Sequence, residues 1–324
     1  MSQWFWNNDN KKQTYVPNMK TTNKEFLDLC KASQKSLKKY LVGKLKTYDY
    51  EVIAGDGYIL AEGDIPVCLT AHMDTVHEKI VREWDERNGE LRSPQGIGGD
   101  DRCGIYMILQ VLKTGLKPYI LFCEDEEIGL VGSEKFCQSE HLEKLSEIIY
   151  LIELDRANSN DAVYYHCGNE TFKNFIKGSI GYTEATGSCS DISNLMPALD
   201  RAGVNLSCGY YNQHTTSEYV VLKEMERTIQ KVIDLLSIDY SASTPFEYCE
   251  EKYRYKLWDD DLWNDDYYLS YSNKYTNYVV SVKYIEDGEI KEEEMVGASY
   301  EDCVGQFLMY HPDMTYNNIV VEEI

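Results

Sequence analysis

The stretch Ile65-Pro66-Val67-Cys68-Leu69-Thr70-Ala71-His72-Met73-Asp74-Thr75 decides the fold. Seven nearly continuous apolar residues end abruptly at a histidine. A strand buried on both faces reads this way, whereas a half-buried strand alternates. Tyr119–Cys123 (YILFC) and Ile148–Leu154 (IIYLIEL) are runs of the same kind. Helical patterns over Gly104–Thr114 and Gly132–Cys137 separate the three. Alternation of buried strands with helices predicts an α/β fold of three αβα layers, a mixed sheet with helices on both sides. Open α/β sheets put their ligand sites at the carboxyl ends of strands, which is where His72 emerges.

Working outward, residues 22–46 carry Phe26, Leu27, Leu37, Leu41 and Leu45 at helical spacing, with Thr22 as the expected N-cap. Tyr50–Ala54 and Tyr58–Ala61 flank a Gly-Asp-Gly turn and read as a hairpin. Asn169–Ile176 is expected to be helical, Val204–Cys208 a strand and Leu222–Leu236 an apolar helix. With 324 residues, 43% of them hydrophobic, the chain can build one large core and a smaller satellite. The Ser-, Ala- and Thr-containing break at Ser237–Pro245 separates an expected domain over 1–239 from an acidic C-terminal module over 246–324. That module starts with a Tyr-, Trp- and Asp-rich segment (246–273). It continues as strand, Glu-Asp-Gly turn, strand, helix and strand, a small α+β unit of ββαβ type.

The net charge is −23, and residues 240–324, with nineteen acidic against six basic residues, hold over half of it. Such a surface repels nucleic acid and anionic lipid and attracts cations. No run approaches the ~18 apolar residues of a membrane span. Ten cysteines without a C-x-x-C pair, and no apolar leader, predict free thiols in a reducing, cytoplasmic setting. Cys68, Cys103, Cys123 and Cys208 read as core fillers.

Five polar clusters interrupt the apolar runs. His72 is followed two residues later by Asp74, which can accept from the second ring nitrogen and fix the tautomer. Gly98-Gly99-Asp100-Asp101-Arg102-Cys103-Gly104 places a carboxylate at a glycine turn before a helix. Glu124-Asp125-Glu126-Glu127 follows a buried strand, where four acids repel one another unless cations neutralise them. Glu153-Leu154-Asp155 ends the third apolar run. His214 lies in Asn212–Glu218, after Val204–Cys208, so a second histidine emerges near a strand end. Each cluster alone has an ordinary structural reading. Together they deliver His, Glu-Glu, Asp and His to one rim of a sheet, with a loop Asp beside them. His77, His141, His166 and His311 show no partner pattern, and Ser190-Asp191 reads as the start of a helix, with the lining of a substrate pocket as the alternative.

These blocks resemble those of the two-zinc exopeptidase clan, which includes peptidase T, bacterial zinc aminopeptidases, aminoacylase and related carboxypeptidases. HMDT, GGDDRCG, DEEIG, ELD and NQH carry the resemblance, over about residues 65–236. It implies that His72 and Asp155 bind one zinc, that Glu127 and His214 bind the other, and that Asp100 bridges both. It also implies Glu126 as the general base and Asp74 as the orienter of His72, with Asp101 not a ligand. Cobalt or manganese would accept the same donors. The ions would share a water and lower its pKa towards neutrality, for attack on a peptide or amide carbonyl. Only 58 residues separate Asp155 from His214, and 27 run from Met73 to Gly99, so neither gap holds a lid or dimerisation domain. An aminopeptidase or dipeptidase is the leading expectation. An N-acyl amino acid amidohydrolase and a non-catalytic acidic binding scaffold are the alternatives; the oligomeric state is open.

Overall fold

In the computed structural model the described residues are 5–6, 13–14, 19–77, 79–250, 278–286, 289–297, 307, 311 and 319–323. The chain forms two compact units, Met1–Lys252 and Tyr253–Ile324. The expected module start at 246 therefore falls inside the first unit. The reason is local: Phe246 exchanges backbone hydrogen bonds with Ile149 and Ala202, and its ring stacks on Phe175 at 5.3 Å.

The first unit is built on an eight-stranded sheet. Its strands are β1 Val52–Ala54, β2 Tyr58–Ala61, β3 Ile65–His72, β4 Pro118–Cys123, β5 Tyr150–Arg156, β6 Asp161–Val163, β7 Thr183–Ala185 and β8 Gly203–Ser207. The order is β7-β6-β8-β5-β3-β4-β2-β1. The central four, β8-β5-β3-β4, are parallel, so their carboxyl ends share one rim. Val67, Cys68, Leu69, Ala71 and Ile120 to Cys123 have no exposed surface, as their apolar runs require. Helices flank the sheet: α1 Met19–Cys30, α2 Gln34–Lys46, α3 Gly99–Leu112, α4 Val131–Cys137, α5 Glu170–Ile180, α6 Asp191–Leu199 and α7 Leu222–Leu236. The mixed α/β architecture is the one expected from the sequence.

Two local expectations fail. The helix expected over 22–46 is two helices, and Thr22 lies inside the first rather than capping it. Ser33 breaks the run because its side chain caps the second helix through the Ser36 N–H. Leu37, Leu41 and Leu45 then form the buried stripe of α2. A second, four-stranded sheet was not anticipated: Tyr210–Tyr211, Tyr219–Val221, Glu90–Arg92 and Asp85–Arg87 pair in that order. Strands of two or three residues carry no period to read.

The second unit has a three-stranded antiparallel sheet with Tyr278–Glu286 central, between Glu289–Gly297 and Ile319–Glu323. Val280, Val282 and Tyr284 pack with Phe307, which is helical, into a core of its own. Residues 251–277, most of the Tyr-, Trp- and Asp-rich segment, lie outside the described residues, as does most of the expected helix.

Candidate metal centre

β3 delivers His72 to the rim with its ring 1% exposed. Its Nδ1 faces Asp74 Oδ1 at 3.2 Å. Asp74 is itself braced, accepting the Glu126 N–H on Oδ1 and the Glu127 N–H on Oδ2, both at 3.0 Å. One carboxylate thus orients the histidine and fixes the backbone of both glutamates. The far nitrogen, His72 Nε2, lies 3.0 Å from Asp100 Oδ1 and 3.4 Å from Asp155 Oδ1.

Asp100 sits where the glycine turn enters α3; Gly98 takes a left-handed φ of 63°, and Asp100 and Asp101 are non-helical. Its second oxygen, Oδ2, meets His214 Nε2 at 3.2 Å. The same His214 nitrogen lies 3.0 Å from Glu127 Oε2. His214 comes from the loop between Tyr210–Tyr211 and Tyr219–Val221, and its side chain is 51% exposed, so this side of the cluster opens to solvent. His72, Asp74, Asp100, Glu127, Asp155 and His214 are thereby brought together in one chain of contacts. Glu126 joins them through its backbone, and its carboxyl lies in the field of His72, Asp155, Asp191 and Glu127.

Asp155 is held from three sides. Its N–H donates to Asn205 Oδ1 (2.9 Å), Ser190 Oγ donates to Oδ2 (2.9 Å), and the Tyr210 hydroxyl lies 3.2 Å from Oδ1. Ser190 is the N-cap of α6 with Asp191 first in the helix, which matches the reading of that pair as a helix start. Asp101 is fully buried and its oxygens are already engaged, by the N–H groups of His72 (3.2 Å) and Gly104 (2.8 Å). Gly104 must lack a side chain: a Cβ there would lie 1.9 Å from the Leu154 carbonyl oxygen of β5.

The charges explain the titration of these groups. Burial pushes Glu126 well above the usual carboxylate range; His72 pulls it back, and Asp155, Asp191 and Glu127 push it further up. Burial and the neighbouring Asp100 raise Glu127 to about 7. Burial works against the charged form of His214, yet Asp100 and Glu127 overcome it and raise the imidazole to about 11. His72 is likewise held well above its ordinary value, burial opposing and Asp155, Asp100 and Asp74 prevailing. Asp100, between two imidazoles, is held below the usual range despite its burial. Two further buried carboxylates stand behind the cluster: burial raises Glu153 well above its ordinary value and Asp191 to about 6.

The donor set fits divalent metal. Five carboxylates (Asp74, Asp100, Glu126, Glu127 and Asp155) stand against two imidazoles and the buried guanidinium of Arg102, so positive charge is short. Glu127 Oε1 is buried with no hydrogen-bond partner among the described residues. A buried carboxylate oxygen without a partner is costly unless a cation meets it. Ligand atoms of His72, Asp100 and Glu127, and those of His72, Asp101 and Asp155, lie within 4.8 Å of one another in each group. Imidazole and carboxylate together suit zinc.

Sequence reasoning left two residues without a role. His77 is not idle: its Nε2 lies 2.8 Å from Glu218 Oε2. Glu218, 1% exposed, also accepts backbone N–H groups from the Asp100 loop. The spacing of an acid four residues after His214 was the only available signal. Of the other histidines, His141 Nδ1 meets the Tyr58 hydroxyl at 2.6 Å and, within the second unit, His311 meets Glu293 at 3.1 Å.

The profile of Peptidase family M28 matches residues 58–194, a span containing His72, Asp100, Glu126, Glu127 and Asp155. No curated protein matches the chain by sequence. Among solved structures the chain is similar to the aminopeptidase PepT of Bacillus cereus, with 15% identity and a TM-score of 0.56, over 68% of this chain and 98% of that one. A tripeptidase of Staphylococcus aureus aligns at 14% identity and a TM-score of 0.55, over 68% and 98%. A Zn-dependent exopeptidase of Parabacteroides distasonis aligns at 13% identity and a TM-score of 0.53, over 69% and 100%. At these identities the likeness is one of fold. The family profile spans four of the five sequence blocks, HMDT, GGDDRCG, DEEIG and ELD, and the solved structures share the fold.

Proposed function

We propose that this chain, whose residues 58–194 carry the pattern of Peptidase family M28, is a zinc-dependent exopeptidase of the aminopeptidase or dipeptidase kind. The observation that carries the reading is the Asp100 carboxylate, with His72 on one oxygen and His214 on the other. His72 and Asp155 would hold one ion, Glu127 and His214 the second, and Asp100 both. When bound, the ions polarise the scissile carbonyl and acidify water.

The residues do the rest. Asp74 holds His72 in the tautomer that leaves Nε2 free to ligate, and keeps Glu126 and Glu127 in register through their N–H groups. Glu126 takes the proton of the attacking water and returns it to the leaving amine. Its place beside Glu127, with its backbone N–H held by Asp74, sets it next to the reacting water. The exposed edge at His214 is the way in for a peptide end. The nine described cysteines are free thiols, which suits a reducing compartment such as the cytoplasm. No described helix is long and apolar enough to cross a membrane.

The test is a panel of aminoacyl anilides, dipeptides and N-acetyl amino acids, assayed with zinc and after chelation. Zinc-dependent cleavage of substrates with a free amine supports the proposal. Preference for N-acetyl amino acids would assign a deacylase instead. No turnover of any member by zinc-loaded protein would refute an enzymatic role of this kind.

A further inference from the structure

Glu218 closes a circuit between the two ends of the metal site. It lies four residues beyond His214 and directly precedes the strand Tyr219–Val221, which pairs with Glu90–Arg92 and with Tyr210–Tyr211. Its side chain is buried, 1% exposed. Oε1 accepts the Asp100 N–H at 3.0 Å, from a residue 118 positions away. Oε2 accepts the Gly98 N–H at 2.8 Å and faces His77 Nε2 at 2.8 Å. So the carboxylate is filled on both oxygens, and two of its three partners are the backbone that carries Asp100.

The loop approaches this closely only because Gly99 is bare. A Cβ there would lie 2.7 Å from Val220, 2.9 Å from Tyr210 and 3.2 Å from Glu218 Oε1. From Glu218 the chain runs back four residues to His214, whose Nε2 meets the other end of Asp100 at 3.2 Å. Asp100 is therefore held at its backbone and at its carboxylate by the same short segment. A bridging ligand has to present each oxygen in a set direction, and one hydrogen bond at the backbone would leave the residue free to swing. The fork of Glu218, backed by His77, removes that freedom.

We propose that Glu218 is a positioning residue: with His77 behind it, it fixes Asp100 between His72 and His214 and so sets the affinity for the metal pair. This rests on the metallopeptidase reading above. Partners of this kind behind metal ligands change affinity by roughly 10- to 100-fold when removed. Glutamine is the informative replacement. Its oxygen can serve one side of the fork, but its NH₂ then confronts an N–H on the other.

The experiment measures zinc affinity of refolding-competent, metal-free protein by competition with a chelating dye, together with kcat and KM, for wild type, E218Q, H77A and H77Q. Circular dichroism checks that each variant is folded. The expected result for E218Q is zinc affinity weaker by at least tenfold, with kcat falling at limiting zinc and recovering as zinc is raised. H77A is expected to weaken zinc severalfold, and H77Q, which keeps an N–H donor, to restore most of it. A merely structural role would lower the melting temperature and leave the zinc affinity of folded protein alone. If E218Q does not fold, H77A carries the test, and wild-type affinity in H77A overturns the proposal. Folded E218Q within twofold of wild type overturns it directly. Wild-type protein that takes up no metal would instead sink the metallopeptidase reading, and this one with it.

Discussion

Asp74→Asn exchanges one carboxylate oxygen for an amide nitrogen at the point where three donors converge. Oδ1 serves the His72 ring and the Glu126 N–H, and Oδ2 serves the Glu127 N–H. An asparagine oxygen placed towards His72 and Glu126 leaves its NH₂ against the Glu127 N–H. One hydrogen bond to a charged acceptor is lost and its buried donor is orphaned. That costs about 1.5–3 kcal/mol, or roughly a 10- to 150-fold change in an equilibrium or a rate. The loss falls on residues that orient His72 and position the Glu126–Glu127 pair, so it should appear in zinc affinity and in kcat/KM, not in global folding. Zinc competition and steady-state turnover on an aminoacyl anilide read both, with circular dichroism as the folding control. D74N within twofold of wild type in both quantities would refute the role given to Asp74.

Glu126→Gln should keep both metals and lose about 10²- to 10⁴-fold in kcat, the usual share of a general base; metal analysis with turnover checks it. Zinc uptake should be linked to pH. His72 and His214 are raised above their ordinary value in the metal-free chain, His214 to about 11, so both carry protons at neutral pH and must release them to bind metal. Affinity should therefore rise as pH goes from 6 to 8, with proton release visible in buffers of different ionisation enthalpy; affinity independent of pH would contradict the protonated imidazoles. Leu69→Ala, in β3 with no exposed surface, should cost about 2–5 kcal/mol and lower the melting temperature by roughly 4–20 °C, read by thermal unfolding of the whole chain.

Much of the candidate site was legible because the residues it gathers sit where buried strands stop. β3, β4 and β5 are apolar to their last turn, so His72, Glu126-Glu127 and Asp155 stand out by contrast. Asp100 was legible from the glycines around it. Glu218 was not, because what defines it is a pair of backbone N–H groups some 120 residues away, which leave no side-chain pattern. His77 escaped for the same reason, its partner being Glu218 at a separation of 141. The small sheet that fixes the His214 loop has strands too short to show alternation. The break at Ser33 hides in a continuous leucine stripe, since a serine cap costs the helical pattern nothing in hydrophobicity. Phe246 follows a turn-rich linker yet packs back on Phe175, a contact between residues 71 positions apart that local composition does not signal.

The most direct measurement is anomalous scattering at the zinc edge from crystals of the whole chain grown with zinc. The account predicts two peaks flanking the Asp100 carboxylate, one beside His72 and Asp155 and one beside Glu127 and His214. A single peak away from Asp100, or no peak within the cluster, would contradict it.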